Sequence, residues 1–378
     1  MDLKELFDTQ YLASPYEPTP YENDVAVIER LKESQEPVIL YGATPDIADQ
    51  IVKKLAGHHI TITLVAIDDD SRQELSSTKL LKDADTVRAE DVDAKLPHYH
   101  VIIGFVKGYS QVDRIALKFK NARSVSYLSE LFDLEPVTTA FVSENRAFLE
   151  DFYENLQDQH SKDSYIAYLM SKTRQDMKYL PPIFDKHQYF PEGLFQFTDH
   201  ESYFDGGAFV GDTIAAFLKA TGGAYRRIWA AEPDRANYRQ LMKYIEETHL
   251  KDVEAVNKGI YSYAGKLPFH EEGSMLSMIT EAANHYIEVD TIDNITGGAP
   301  VTYLKMDVEG AELMALKGAE QTILQHKPLL GISIYHRERD LIDIPAYIQK
   351  LVPEYKFYFR VHKKLAFDTV LYATIRPA

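Results

Sequence analysis

Short apolar runs punctuate the chain, and most are followed by a stretch with helical spacing. In the N-terminal third the runs are Pro37-Val38-Ile39-Leu40-Tyr41-Gly42, then Ile60 to Ile67 closed by Asp68-Asp69-Asp70, then Tyr99-His100-Val101-Ile102-Ile103-Gly104. Val25 to Lys32 and Asp46 to Leu55 carry apolar residues at helical intervals. Brief apolar runs bounded by glycine or acids read as buried strands. Their alternation with helices predicts a small α/β layer fold over residues 30–135. The segment before it, with Pro15, Tyr16, Pro18, Pro20 and Tyr21, predicts an extended arm.

From Ser143 to about Leu180 the pattern turns helical and charged, with Leu149, Phe152, Leu156, Ile166, Leu169 and Met170 at helical intervals until Pro181-Pro182. After Tyr189 a second strand series begins: 202–205, 227–232, 253–257, 301–307 and 329–334. Helical stretches lie between several of them, at 213–220, 234–248 and 311–325. The last two runs, 355–360 and 369–374, have only a turn-sized gap and predict a hairpin. The expected architecture is therefore α/β throughout. An N-terminal Rossmann-like domain (1–140) and a helical connector (141–188) precede a second Rossmann-like sheet with an antiparallel terminal hairpin (189–378).

A length of 378 residues fits two domains, and 45% apolar with 26% charged residues is the balance of a soluble globular protein. The net charge of −17 argues against nucleic acid and against anionic membrane surfaces, since both need a basic patch. Without cysteine there is no thiolate chemistry and no disulfide. The first residues, Met1 to Leu6, lack the apolar core of a secretory signal, and no run approaches the ~20 apolar residues of a membrane helix. A cytoplasmic location is the expectation.

The chemistry concentrates in Phe204-Asp205-Gly206-Gly207-Ala208-Phe209-Val210-Gly211-Asp212-Thr213, which joins a strand to its helix. Ligands of open α/β sheets bind beyond the carboxyl ends of strands. Gly206 and Gly207 allow a tight turn and close backbone approach, and Gly211 lets the helix start hard against the strand. Asp212 or Thr213 is expected to cap that helix, whose free amides favour a carboxylate such as that of a methionyl group. Asp205 offers an acceptor to an ammonium or to ordered water. Glu232 closes the next strand, where a carboxylate can accept both ribose hydroxyls of an adenosyl group, and Asn257 ends the third strand within reach of an adenosine. Dinucleotide enzymes place an acid at the same point, but their G-x-G-x-x-G pattern is missing; counted from Gly207 the spacing is G-x-x-x-G.

These residues resemble the FkbM-type methyltransferases of the class I S-adenosylmethionine fold. The resemblance runs from Tyr189-Phe190-Pro191-Glu192-Gly193 to Leu371-Tyr372-Ala373 and includes the connector around Asp158 to Lys162. Its most specific pieces are Lys305-Met306-Asp307-Val308-Glu309-Gly310-Ala311-Glu312, Leu316-Lys317-Gly318-Ala319 and Ile334-Tyr335-His336, with Val289 to Asp293 and Asp368 to Tyr372 also fitting. It implies S-adenosylmethionine as cofactor and methyl transfer, most naturally to an oxygen, with a sugar or another small hydroxylated metabolite as acceptor.

Methyl transfer to a hydroxyl is an in-line displacement in which donor and acceptor are held at ~3 Å and the acceptor loses a proton. His336, just after a strand, titrates in the right range for that proton; a hydrogen-bonded structural histidine is an equal alternative. Asp307 and Glu309 also follow a strand end. Asp307 could position the acceptor, cap a helix or, with a second acid and His336, hold a divalent cation, although no residue is assigned to a metal. Glu309 and Glu312 are spaced to share a helix face, and Glu312 reads as a helix-dipole contact. Lys305, inside an apolar strand, calls for an ion pair with Asp307 or Glu232. Gly273 to Met278 reads as a flexible segment or a plain hairpin loop.

In the N-terminal domain Tyr41-Gly42-Ala43-Thr44-Pro45-Asp46 with Asp68 looks like a degraded nucleotide-binding turn, because Pro45 removes an amide donor. Packing, pairing of two copies or substrate presentation are its expected roles. Two other readings of the whole chain stand beside methyl transfer: a cofactor-binding scaffold without turnover, and an NAD-linked oxidoreductase, for which neither turn has the fingerprint.

Overall fold

The apolar runs of the N-terminal third pair side by side. In a computed structural model, β1 (Val38–Tyr41), β2 (Ile62–Ile67), β3 (Thr86–Arg88), β4 (Tyr99–Ile103) and β5 (Ala122–Ser126) form a parallel sheet in the order β3-β2-β1-β4-β5. Helices α1 (Asp24–Ser34) and α2 (Pro45–Gly57) supply Val27, Ile28, Leu31, Ala48, Ile51 and Leu55 to one core with Val38, Leu40 and Val65. Each large aliphatic side chain buried this way stabilises by about 2 kcal/mol. The residues described are 24–43, 45–68, 80–81, 84–105, 112–128, 137–174, 180–270, 278–279, 285–362 and 368–376. The proline- and tyrosine-rich arm up to residue 23, Thr44, Asp69, Asp70 and residues 273–277 lie outside them.

The chain divides into two compact units, Met1–Ser143 with Ile166–Ile183 and Lys363–Ala366, and Glu144–Tyr165 with Phe184–His362 and Phe367–Ala378. In the first unit the glycine turn after β1 is occupied by the protein itself. Gly42 has φ +70°, and a Cβ there would lie 2.4 Å from the Phe105 ring. Asp68, the acid after β2, accepts a hydrogen bond from the Tyr41 hydroxyl at 2.8 Å and pairs with Lys118 at 2.7 Å.

In the second unit the strands are β6 (Ser202–Gly206), β7 (Arg227–Ala231), β8 (Val253–Val256), β9 (Gly259–Ile260), β10 (Gly265–His270), β11 (Met278–Ile279), β12 (His285–Asp290), β13 (Tyr303–Met306), β14 (Leu329–Ser333), β15 (Lys356–Val361) and β16 (Thr369–Thr374). Seven of them form the main sheet in the order β15-β16-β14-β13-β6-β7-β8. Strands β8, β7, β6, β13 and β14 run parallel, while β16 is antiparallel to both β14 and β15. The expected α/β class and terminal hairpin are both present. Strands β9 to β12 make a separate small sheet, in the order β11-β10-β12-β9, which the apolar pattern does not announce.

Helices α3 (Asp212–Ala220) and α4 (Arg235–Glu247) follow β6 and β7, and α5 (Glu312–Lys317), α6 (Glu320–His326) and α7 (Asp340–Leu351) follow β13 and β14. The one helix expected over 311–325 is broken after Lys317. A Cβ on Gly318 would lie 2.1 Å from the Tyr261 carbonyl oxygen, so the backbone of the small sheet passes where a side chain would stand. Beneath α3 the core is aromatic: Tyr203 stacks on Phe217 at 4.5 Å, with Phe190 and Tyr303 at its edges. Two latches bind distant segments to this unit. Arg376 meets Glu201 through both oxygens at 3.0 and 2.9 Å, and Arg360 meets Asp158 at 2.6 Å while Ser161 accepts the Phe359 amide.

Candidate active site

Parallel strands deliver their carboxyl ends to one edge of the main sheet, and the chemistry of the unit gathers there. Strand β6 ends in Gly206, β7 leads into Glu232, β8 into Asn257, β13 into Asp307, and β14 into Ile334-Tyr335-His336. The backbone at this edge explains the glycines. Gly207 has φ +75°, and a Cβ there would fall 1.9 Å from the Asp307 carbonyl oxygen. Gly211, with φ +93°, packs under the Tyr244 ring and is itself the N-cap of α3. Gly206 has ordinary φ, and a Cβ there would stand 3.2 Å from the Lys305 carbonyl oxygen.

The polar residues of the turn divide into two groups. Asp205 is fully buried and held from inside the protein. Lys305 Nζ lies 3.0 Å from Oδ1, and the Thr213 hydroxyl donates to Oδ2. Lys305 also donates to the carbonyls of Gly206 (3.1 Å) and Gly207 (2.7 Å). Burial would lower its pKa, but the Asp205 and Asp307 charges outweigh this and raise it. Asp205 serves as an internal brace of the turn. Two expectations change as a result. The Lys305 partner is Asp205, set directly across by the β6–β13 register. Thr213 does not cap α3, and neither does Asp212, which stands exposed at its first position, where its charge suits the helix dipole.

Glu232 faces the turn. Its oxygens accept the Phe209 and Asp234 amides, both at 2.9 Å, and burial pushes its carboxyl up to about 7. The Asn257 side-chain amide donates to the carbonyls of Glu232 (2.8 Å) and Pro233 (3.0 Å), so Asn257 fixes this strand end in place. Gly207 and Ala208 amides both reach the Ala231 carbonyl at 3.0 Å, tying the two strand ends together.

A second group lies beyond β13 and β14. Asp307 accepts the Tyr189 hydroxyl at 2.9 Å and faces the Tyr335 hydroxyl at 3.4 Å. His336 Nε2 is 3.2 Å from Glu309 and 3.6 Å from Asp307, and Nδ1 is 3.1 Å from Glu312. No hydrogen bond of good geometry forms at either ring nitrogen; the carboxylates surround the ring without lying along its N–H directions. Burial would lower the His336 pKa, but Glu312 and Glu309 outweigh it and hold the value well above the ordinary imidazole range. Burial raises Glu309, whereas for Asp307 the His336 and Lys305 charges overcome burial and lower it. Glu309 does not share a helix face with Glu312. It sits in the turn before α5 with φ +54°, and Glu312, the first residue of α5, accepts the Val308 amide at 2.9 Å. Asp307 caps no helix, since the N-cap of α5 is Ala311.

Tyr189, Ser333, Tyr335 and Asp340 belong to this region; Tyr189 and Tyr335 entered the sequence reading only as parts of motifs, without a role at the site. Ser333 and Tyr335 were findable as alternate positions at a strand end; Tyr189 and Asp340 are brought in by loop and helix packing.

Sheet order, antiparallel last strand and the glycine–acid edge together define a methyltransferase fold. Residues 205–357 match the family model of the methyltransferase FkbM domain. A crystal structure of an FkbM methyltransferase from Methylobacillus flagellatus is similar over 93% of this chain and 94% of its own, with a TM-score of 0.67 and 22% identity. An rRNA methylase from Streptococcus thermophilus (TM-score 0.31, 12% identity, 48% of this chain, 90% of its own) and a methyltransferase from Geobacter sulfurreducens (0.30, 13%, 66%, 95%) are more distant. No curated protein gives a significant match. Among the described residues no helix is long and apolar enough to cross a membrane.

Proposed function

We propose that the C-terminal unit binds S-adenosylmethionine and transfers its methyl group to a hydroxyl oxygen of a sugar or another small metabolite in the cytoplasm. The observation that carries this reading is Glu232, a buried carboxylate just after β7, facing the glycine turn 206–211 across the gap between two parallel strands. A carboxylate there suits a pair of ribose hydroxyls, and the first amides of α3 suit the methionyl carboxylate.

The acceptor side is the edge formed by Asp307, Glu309 and His336. The acceptor oxygen attacks the methyl carbon while the carbon–sulfur bond breaks, leaving S-adenosylhomocysteine, and the acceptor proton passes to a protein carboxylate. Asp307 and Glu309 have side chains 19% and 24% exposed, whereas that of His336 is 3% exposed and stands behind them. The proton therefore goes to Glu309, whose carboxyl is raised by burial, and Asp307 and His336 position the acceptor and that carboxylate. The N-terminal unit takes a packing or pairing role, because Phe105 covers its glycine turn.

Calorimetry with S-adenosylhomocysteine and NAD, followed by turnover against a panel of hydroxylated compounds, tests the reading. Binding of the first alone, with methylated product from one acceptor class, is expected. NAD binding in its place would overturn it, and cofactor binding without any turnover would favour a scaffold.

A further inference from the structure

Outside the cofactor turn, four carboxyl groups cluster at the main sheet edge, two of them buried and two half-buried. Asp307 and Glu309 come from the turn after β13, Glu312 from α5 and Asp340 from α7; Glu312 is fully buried and Asp340 is 5% exposed. Facing them are His336 and the exposed Arg337, while Lys305 is engaged with Asp205. Carboxylates taken out of water with so few counter-charges are costly unless a cation joins them.

Two further features point to a ligand. Glu312 Oε2 is buried and makes no hydrogen bond, and neither do the two ring nitrogens of His336. One ligand atom each from Asp307, Glu312 and His336 lies within 4.8 Å of the others, a spacing that small side-chain rotations close to coordination distance. We propose that Asp307, Glu312 and His336 form a binding site for a divalent first-row metal ion. Two carboxylates with one imidazole and no thiolate suit Mn²⁺ or Fe²⁺ better than Mg²⁺, which prefers an all-oxygen octahedron.

The ion would sit at the ends of β13 and β14, on the acceptor side of the edge, with Asp307 as its link to solvent. Binding requires His336 as neutral imidazole, so uptake releases a proton. The assignment stands independently of the cofactor reading, because metal and S-adenosylhomocysteine are titrated separately.

The test is a titration of the chelator-stripped full chain with Mn²⁺, following free Mn²⁺ by electron paramagnetic resonance. The expected result is one saturable Mn²⁺ per chain, weakened tenfold or more in Glu312→Gln and in His336→Ala, with S-adenosylhomocysteine affinity retained. Should either variant fail to fold, the electron spin echo of Mn²⁺ bound to the wild type is expected to show modulation by an imidazole nitrogen. The proposal is overturned if the wild type takes up no saturable Mn²⁺, if uptake is unchanged in both folded variants, or if no nitrogen modulation accompanies the bound ion.

Discussion

At the scale of single residues, Glu232 and Gly207 make the firmest predictions. Glu232→Ala should weaken S-adenosylhomocysteine by about 1–3 kcal/mol, the range for losing a charged hydrogen-bond acceptor; unchanged affinity in a folded variant would misplace the ribose site. Burial pushes the Glu232 carboxyl up to about 7, above its ordinary 4.5. The folded state thus holds this proton more tightly than the unfolded one. The stabilising contribution is complete below about pH 4.5 and is lost as pH rises through about 7. Cofactor affinity runs the other way, because ribose hydroxyls donate to the ionised carboxylate. S-Adenosylhomocysteine should bind more tightly at about pH 8 than at about pH 6, with Glu232→Gln flat over the same window; a flat wild type would discard the assignment. Gly207→Ala puts a Cβ 1.9 Å from the Asp307 carbonyl oxygen at φ +75°. A loss of more than about 1 kcal/mol in urea unfolding is expected.

At the scale of elements, the parallel strands and the terminal hairpin could be read because each is a compact apolar run with punctuation. β3 and β5 are short and partly polar, and β10 contains Pro268, so neither length nor period marks them. The positions of Asp205, Glu232 and Asp307 at strand ends were legible from the same runs. Their partners were not: the Lys305–Asp205 pair depends on which strands adjoin, a property of the sheet order rather than of local sequence. The Glu201–Arg376 latch illustrates the same limit, joining residues 201 and 376 through two hydrogen bonds. Arg376→Ala leaves Glu201, 3% exposed, without its cation. The expected cost is about 3 kcal/mol in urea unfolding, with S-adenosylhomocysteine affinity unaffected; a neutral effect would show the latch to be incidental.

At the scale of the whole molecule, two α/β sheets share one chain but offer different strand ends. In the N-terminal unit Phe105 covers Gly42, and Asp68 is engaged by Tyr41 and Lys118. A single S-adenosylhomocysteine per chain, and no heat with NAD, is the expected calorimetric result; two adenosyl sites would require the first unit to open. The sheet order of the second unit has a temporal consequence. β16, the last strand, lies between β14 and β15. A ribosome that has finished the five parallel strands still leaves one side of β14 bare, with its amides and carbonyls unsatisfied, until residues 369–374 emerge. Until those residues pair, that side of β14 is a ready template for a strand of another chain.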